Sequence, residues 1–287
     1  MRKKKAYISK IYMGAVFVFM YAPILLLMIF SFNDSKSRSV WNGFSLRWYE
    51  KLMGDSTILD AIKVTLTVSI CAALISTVLG TAAAIGIFNM KKTPRRLMNS
   101  LNNIPMMNPD IIMGVSLMLM FIFLYQTVHL PFFKLGFLTL LIAHITFDTP
   151  YVVLSVLPKL RQMDKRQYEA ARDLGATNLE AFFKVVLPQI MPGVTTGMIL
   201  SFTMSIDDVV VSYFTSGADS QTLGVIIFSM TKKRISPEIN ALCTIMFVVV
   251  LALLLIINFR ELRESKGTKL RQSACKAQRK EKIRDRK

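Results

Sequence analysis

Long runs of apolar residues alternate with short polar segments along this chain of 287 residues. Six of the runs are long enough to cross a bilayer as helices, because about 20 helical residues span its hydrocarbon core. The predicted spans are residues 11–32, 61–88, 101–125, 135–157, 189–216 and 241–259. The pattern therefore predicts an all-α membrane protein with six transmembrane helices and a transmembrane domain over residues 1–260.

The third predicted span is the least uniform, because polar and helix-breaking residues interrupt its first third. They are three asparagines and two prolines: Asn102, Asn103, Asn108, Pro105 and Pro109. Interrupted backbone at membrane depth is tolerated only where protein or a water-filled cavity covers it. We therefore expect this helix to face the interior of the bundle.

The charge of the chain also supports a membrane protein, and it predicts the orientation of the helices in the bilayer. Hydrophobic residues make up 53% of the sequence, so a net charge of +18 is better explained by helix orientation in a bilayer than by nucleic-acid binding. With the N-terminus inside, 27 of the 36 Lys and Arg residues fall on the inner side and 8 on the outer side. The positive-inside rule therefore predicts that both termini and the segment 158–188 are cytoplasmic.

The basic segment 261–287 is almost free of apolar residues, so we expect a disordered or surface-lying extension without a nucleic-acid partner.

Four carboxylates lie within the predicted spans, whereas the only basic residue there is Lys63, near a membrane surface. The four are Asp110, Asp148, Asp207 and Asp208. An ionised carboxylate in hydrocarbon costs several kcal/mol, so such residues line a cavity, find a partner or take up a proton. A transported cation such as a polyamine would supply the missing positive charge. We predict that these residues belong to a substrate pathway.

Two of these carboxylates also have local explanations, which the sequence leaves open. Asp110 could cap the helix that resumes after Pro109. Asp148 could contact His144, four residues earlier, at a kink before Pro150. The adjacent pair at 207 and 208 is harder to explain locally, since two neighbouring carboxylates cannot both face one helix partner.

Aromatic residues cluster in the first predicted outer loop, where Trp41, Trp48 and Tyr49 follow the first span. Aromatic side chains at a membrane surface are usually interfacial anchors. Alternatively, Trp48 could form part of a cation–π entrance for an ammonium ligand. Both interpretations stay open.

The longest polar segment between two spans has the signals of two short helices joined by a bend. Asp164 precedes Gln167 and Thr177 precedes Glu180, each in the spacing of a capping box, and Gly175 lies where a residue with positive φ is favoured. An apolar face is predicted on the second helix, formed by Leu179, Phe182, Phe183 and Val186. Such a face predicts docking of a soluble partner, and the alternative is an amphipathic elbow on the lipid surface.

This segment resembles the cytoplasmic loop signature of ATP-binding-cassette importer permeases. The matching residues are Glu169, Ala170, Ala171, Gly175, Leu187 and Pro188, and the sequence departs from the signature by Val185 in place of Ile. In that family the loop is a coupling helix seated in a cleft of the ATPase subunit. The resemblance therefore implies the type I importer architecture of six helices.

Five further stretches resemble the spermidine/putrescine branch of these permeases, and in particular its second membrane subunit. They are residues 44–49, 106–113, 144–147, 200–211 and 236–241. The resemblance implies that Trp48, Asp110, Asp207 and Asp208 occupy positions associated with polyamine passage. Asp148 falls where the family pattern has no expected carboxylate, so its role stays open.

The same resemblance implies a set of partners in a cell (inner) membrane. They are a second permease subunit, two ABC ATPase subunits and an extracytoplasmic polyamine-binding protein. The chain lacks a G-x-x-x-x-G-K phosphate loop, so ATP and Mg²⁺ are expected on the partner ATPase, with no cofactor, metal or catalytic residue in this chain. An importer of ferric iron, an opine or an anion remains an alternative, as does a secondary transporter. No basic residue deep in a span favours an anion, and no internal repeat favours a secondary transporter. Ferric iron is less easily excluded.

Overall fold

The computed structural model describes residues 2–35, 40–233, 238–252 and 255, and within them the chain is helical, with an isolated bridge between Asn33 and Phe44 and no β-strand. The helices are α1 (Arg2–Phe30), α2 (Arg47–Met53), α3 (Ser56–Asn89), α4 (Lys92–Met107), α5 (Asp110–Gln126), α6 (Phe137–Gln162), α7 (Lys165–Asp173), α8 (Asn178–Ala181), α9 (Leu187–Asp207), α10 (Val210–Thr215), α11 (Leu223–Lys233) and α12 (Glu238–Ala252). The chain divides into two compact units, Met53–Ile235 and a second made of Met1–Leu52 with Ser236–Lys287.

The unit Met53–Ile235 is built on three long helices, α3, α6 and α9, which pack against one another. Glycines permit the close approach. A Cβ at Gly80 would lie 2.6 Å from the Cβ of Val152, and one at Gly193 would lie 2.8 Å from the carbonyl oxygen of Ser155. Valine and leucine side chains of α6, with Val186 and Ile190, fill the core beside these contacts. Small residues at helix interfaces are typical of membrane bundles, where packing replaces the hydrophobic effect as the force between helices.

The apolar spans are confirmed in part. In the described residues, four helices are long and apolar enough to cross a membrane, and a fifth is reached if α4 and α5 count as one broken span. The sixth predicted span, 241–259, is described only as α12 and residue 255, and the basic segment 261–287 lies outside the described residues. The prediction of six continuous spans is therefore not reproduced in this part of the chain.

The predicted third span, 101–125, is bent within the interrupted first third that the sequence indicated. α4 and α5 meet at an angle of 101°, with Asn108 and Pro109 in extended conformation between them. Pro109 has no N–H to continue a helical ladder and disfavours helical backbone at Asn108. The expectation that the third span faces the interior is therefore met by α5, whose Gly114, Leu117 and Phe121 are buried, and not by α4, which has no buried residue.

The fifth predicted span, 189–216, also breaks. α9 ends at Asp207, Asp208 is extended with φ −69° and ψ 128°, and α10 begins at Val210. A broken helix at membrane depth exposes backbone polar groups, which is tolerated where the break is covered by protein or lines a cavity. The break therefore falls at the pair of carboxylates that the sequence singled out.

The other unit contains α1 and the segment that follows it. None of the side chains in the most apolar part of α1 is buried. After α1, the Ser31 hydroxyl bonds the Tyr49 hydroxyl at 2.7 Å, and the Asn33 side chain bonds the backbone of Val40 and Asn42 at 2.8 and 2.9 Å. Lys51 forms an ion pair with Glu238. The contacts of Ser31 and Asn33 hold residues 40–49 against the end of α1.

Candidate functional site

The two adjacent carboxylates at the break of α9 have opposite environments. Asp207 is the last residue of α9 and is exposed, whereas the Asp208 side chain is only 10% exposed. Asp208 accepts hydrogen bonds from the backbone N–H of Val211 at 3.2 Å and of Ser212 at 2.7 Å, and from the Ser212 hydroxyl at 2.8 Å. Asp208 thus holds the start of α10, and Asp207 is left free to meet a ligand.

A buried histidine of α6 lies next to Asp208 at the break of α9. His144 is fully buried on α6, with its Nδ1 2.6 Å from the Ser205 hydroxyl and its Nε2 3.0 Å from the Ser212 hydroxyl. Because Ser212 donates its proton to Asp208, its oxygen accepts from His144 Nε2, which assigns the tautomer with hydrogen on Nε2. The His144 Nε2 lies 3.7 Å from the Asp208 carboxylate. The contact of His144 with Asp148, left open by the sequence, does not form, because both ring nitrogens bond serines of α9 and α10.

Asp148 lies in the closed interior of the three-helix core. Its side chain is fully buried, and neither carboxylate oxygen makes a hydrogen bond. It lies beside the hydroxyl of Ser201, which bonds the Ser76 hydroxyl at 2.7 Å and so joins α9 to α3. A substrate could reach Asp148 only if these helices separated. In this conformation Asp148 is therefore not accessible to a substrate, and its predicted pathway role stays untested.

Replacing Asp148 by leucine is expected to stabilise the protein. A buried carboxyl without partners costs about 1–3 kcal/mol, and an apolar side chain of similar size removes that cost. The midpoint of thermal unfolding in detergent should rise by about 2–4 °C per kcal/mol in a chain of this size. Ser201→Ala is the matched control and should lower the midpoint, because it removes the hydrogen bond between Ser201 and Ser76 that joins α9 to α3. A lower midpoint for Asp148→Leu would show that the carboxylate has a stabilising ligand.

Asp110 begins α5 directly after the bend, where it is exposed. A carboxylate in the first turn is favoured by the helix dipole, but among the described residues its side chain makes no capping hydrogen bond. Its helix packs on α10, since a Cβ at Gly114 would lie 3.3 Å from the Cα of Val211. The structure therefore places Asp110 one turn before a direct contact with the helix that follows the Asp207–Asp208 break.

Trp48 belongs to the other unit and is only 4% exposed. Its indole N–H donates to the carbonyl oxygen of Asn33 at 2.8 Å, and the Arg47 guanidinium lies 5.6 Å from its ring centroid. In this conformation the Trp48 ring is not accessible to an ammonium ligand, and its pathway role stays a prediction. The ring is instead a buried anchor for the segment after α1, and Trp41, with 49% exposure, is the more accessible tryptophan.

Sequence reasoning missed the serines that organise these acidic groups. Small residues recur every fourth position along one face of α9, and all of them are buried: Gly193, Gly197, Ser201 and Ser205. The spacing is visible in the sequence and is typical of close helix contacts in membranes. It could have identified this face of α9 as the one that meets α3 and α6.

The predicted caps of the polar segment after α6 are confirmed in part, because Asp164 caps α7 but the Gln167 side chain bonds Gln189 and does not complete a capping box. The Asp164 side chain accepts from the Arg166 N–H, and Thr177 and Glu180 form the complete capping box. Gly175 has φ +89°, a conformation that a side chain would strain. The helix α7 is thus joined to α8 by a bend that requires glycine.

The signature residues of this loop lie mostly on its surface. Glu169, Ala170 and Gly175 are exposed, and Ala171 is half-buried. Leu187, half-buried, and Pro188, exposed, form the first turn of α9, where proline is tolerated because the first helical N–H groups need no partner. The loop therefore presents its Glu-Ala-Ala helix outward from the three-helix core.

The predicted single apolar face of the loop is wrong, because it is divided between two directions. Val186 is buried and Phe182 packs against the three-helix core. Leu179 and Phe183 point outward, with 72% and 59% exposure, and Leu174 is 90% exposed. The division follows from ordinary helix geometry, because neighbouring residues such as Phe182 and Phe183 point about 100° apart and the three-helix core covers only one side of the helix. We call the three outward residues Leu174, Leu179 and Phe183 the apolar knob.

A cavity of about 340 Å³ lies between the loop and the ends of the long helices. Its lining includes Phe88 of α3, Leu160 of α6, and Tyr168, Glu169 and Phe182 of the loop. The loop is therefore only partly packed on the core.

Comparison with known proteins identifies the family. The family described as "Binding-protein-dependent transport system inner membrane component" matches residues 76–260. The putrescine transport system permease protein PotI of Escherichia coli K12 is 42% identical over 232 residues, which cover 80% of this chain and 82% of PotI. The spermidine/putrescine transport system permease protein PotC of Haemophilus influenzae is 38% identical over 250 residues, covering 87% and 95%.

Solved structures agree on the fold. A chain of a bacterial ABC transporter that imports the acidic polysaccharide alginate superposes with a TM-score of 0.68 at 13% identity, covering 89% of this chain and 96% of that chain. A chain of the inward-facing methionine transporter MetNI gives a TM-score of 0.59 at 18% identity, covering 75% and 96%. Taken with the family match over residues 76–260, these similarities show that this chain belongs to the family of binding-protein-dependent transport system inner membrane components.

Proposed function

We propose that this chain is a membrane-spanning permease subunit of an ATP-driven importer of polyamines, spermidine or putrescine. The observation that carries the proposal is the break of α9, which leaves Asp207 exposed at a helix C-terminus. The last carbonyl groups of a helix carry partial negative charge, so a carboxylate there is electrostatically uncompensated. A ligand with several ammonium groups supplies the compensation. The relatives named for spermidine and putrescine transport support the same substrate class.

The pathway residues of this proposal are the exposed Asp207 and Asp110, with Asp208 fixing the geometry of the break. Trp48 and Asp148 act only if the conformation changes, since both side chains are buried. Among the described residues, no group of three or more His, Cys, Asp or Glu side chains could hold a metal ion. This part of the chain therefore offers less support for a ferric iron importer than for a polyamine importer.

Energy reaches the pathway through the loop 158–188. In the proposed assembly, both termini and this loop are cytoplasmic in the inner membrane, and an ATPase subunit with bound ATP and Mg²⁺ receives the apolar knob in a cleft. A second permease subunit completes the pathway, a second ATPase subunit lies beneath it, and an extracytoplasmic polyamine-binding protein delivers the substrate. ATPase closure moves α7, and the contacts of the loop with α3 and α6 carry that movement to the helices beside the break.

Uptake by the complete set of subunits tests this function. Cells that express all subunits should accumulate labelled putrescine or spermidine in an ATP-dependent manner, each polyamine should compete with the other, and excess ferric iron should not compete. Cells lacking only this chain are the control. If a metal ion abolishes uptake and polyamines do not compete, the substrate is a metal and not a polyamine. If an ion gradient drives uptake without ATP, the chain does not belong to an ATP-driven importer.

A further inference from the structure

The ammonium group of Lys232 lies in a corner formed by two aromatic rings. Its Nζ is 4.4 Å from the ring centroid of Phe228 and 5.6 Å from that of Tyr213. The two ring centroids are 6.0 Å apart, and their planes meet at 81°. Both distances fall within the range of about 6 Å over which a ring face attracts a cation. We call Tyr213 and Phe228 the aromatic corner.

Two helices build the aromatic corner. Phe228 and Lys232 lie one turn apart on α11, where residues four apart are neighbours on the helix surface, and Tyr213 comes from α10. Close packing holds α11 in place, since a Cβ at Gly224 would lie 2.9 Å from the Val209 side chain. Val209 is part of the break that carries Asp207. The corner is therefore attached directly to the proposed pathway.

The aromatic corner is open to a ligand. Tyr213 is 47% exposed and Phe228 is 40% exposed. The described ion pairs of the chain do not include Lys232, so no described carboxylate holds its ammonium group in place. The rings are its described partners, and contacts of this kind at an exposed site are weak enough to be exchanged.

Lysine has the same chemistry as the end of the proposed substrate, a primary ammonium group on a chain of four methylenes. An aromatic corner that accommodates the Lys232 side chain can therefore also accommodate the terminal ammonium group of an aliphatic diamine. We infer that the aromatic corner is a binding site for a primary alkylammonium group of the substrate, and that Lys232 is a tethered competitor that occupies it when substrate is absent. The identity of the ligand rests on the proposed polyamine function.

A tethered competitor raises the substrate concentration needed for occupancy. A group on a short flexible tether is present at an effective concentration of about millimolar. A free ammonium group must displace it, and the released Lys232 then carries its positive charge away from the corner. Removal of Lys232 should therefore increase the apparent affinity for substrate without any new contact.

Uptake kinetics test the competition. Lys232→Met keeps the unbranched chain without the charge and should lower the KM for putrescine about two- to fivefold, the factor expected for losing one exposed cation–π competitor. Lys232→Arg should leave KM near the wild-type value. Tyr213→Leu in the Lys232→Met background should reverse the gain. Lys134→Met is the matched control. Lys134 is an exposed lysine in another polar segment and has no described aromatic contact, so the KM of this variant for putrescine should not change.

Chemical labelling tests the same site without transport. In the purified complex, lysines are labelled with an amine-acylating reagent, and the extent of modification of Lys232 is divided by that of Lys134 in the same sample. Putrescine also consumes the reagent, but it does so equally for both lysines. The Lys232 to Lys134 ratio should rise when putrescine is added, because the ligand displaces the Lys232 ammonium group from the rings. A higher ratio supports the site even if the complex proves not to transport polyamines, in which case the function alone fails. An unchanged ratio, or an unchanged KM in Lys232→Met, would overturn the inference.

Discussion

Replacing Phe183 by aspartate is expected to release the ATPase subunit from the purified complex. Phe183 is 59% exposed on the apolar knob, beside Leu179 with 72% exposure. Burying such a side chain in a partner contributes about 1.5–3 kcal/mol, and a buried unpaired carboxylate adds a further penalty. Affinity should therefore fall by more than about a hundredfold. Co-purification of the ATPase with a tagged permease, followed by quantification of both bands, measures the effect.

Matched variants separate docking from folding. Leu97→Asp places the same charge at an equally exposed apolar position on α4, where Leu97 is 58% exposed, and should leave the ATPase bound. Phe182→Asp should instead reduce the yield of folded permease, because Phe182 packs on the three-helix core. Retention of the ATPase by both Phe183→Asp and Leu179→Asp would show that the knob is not the docking surface and would favour an elbow lying on lipid.

The adjacent carboxylates at the break of α9 should give different mutant phenotypes. Asp207→Asn should keep the complex assembled and lower polyamine uptake at least about tenfold, since a hydrogen bond to a charged group contributes about 1.5–3 kcal/mol. Asp208→Ala should lower the yield of assembled complex, because it removes the acceptor for Val211, for Ser212 and for the Ser212 hydroxyl. Initial uptake rates and the amount of complex after purification measure the two effects.

Asp208→Asn should have an intermediate effect, because an amide has one acceptor oxygen, whereas Asp208 uses both of its oxygens to accept hydrogen bonds. It should fall between Asp208→Ala and wild type in complex yield. Asp219→Asn serves as the control, because Asp219 is exposed in the segment between α10 and α11 and makes no described contact. Normal uptake by Asp207→Asn in a fully assembled complex would remove Asp207 from the substrate pathway.

The loop could be predicted from the sequence in detail because its signals are local. A capping box acts between residues three apart, as in Thr177 and Glu180, and the positive φ of Gly175 follows from its place between two helix signals. The division of the loop's apolar residues could not be predicted in this way. Phe182 and Phe183 are neighbours on one broad face, and the position of the three-helix core alone decides that Phe182 packs inward while Phe183 stays exposed.

The sequence by itself determined the class of the protein and the presence of acidic residues within its apolar runs, because hydrophobic length and charge need no knowledge of neighbours. It did not determine which of these runs form unbroken helices. Tertiary structure alone decided what each acid does. Asp207 and Asp208 differ only through the break of α9, which turns one side chain outward and the other toward His144. Asp148 is enclosed because α3 and α9 approach α6 closely at small residues, and such contacts join positions more than a hundred residues apart, as between Ser76 and Ser201.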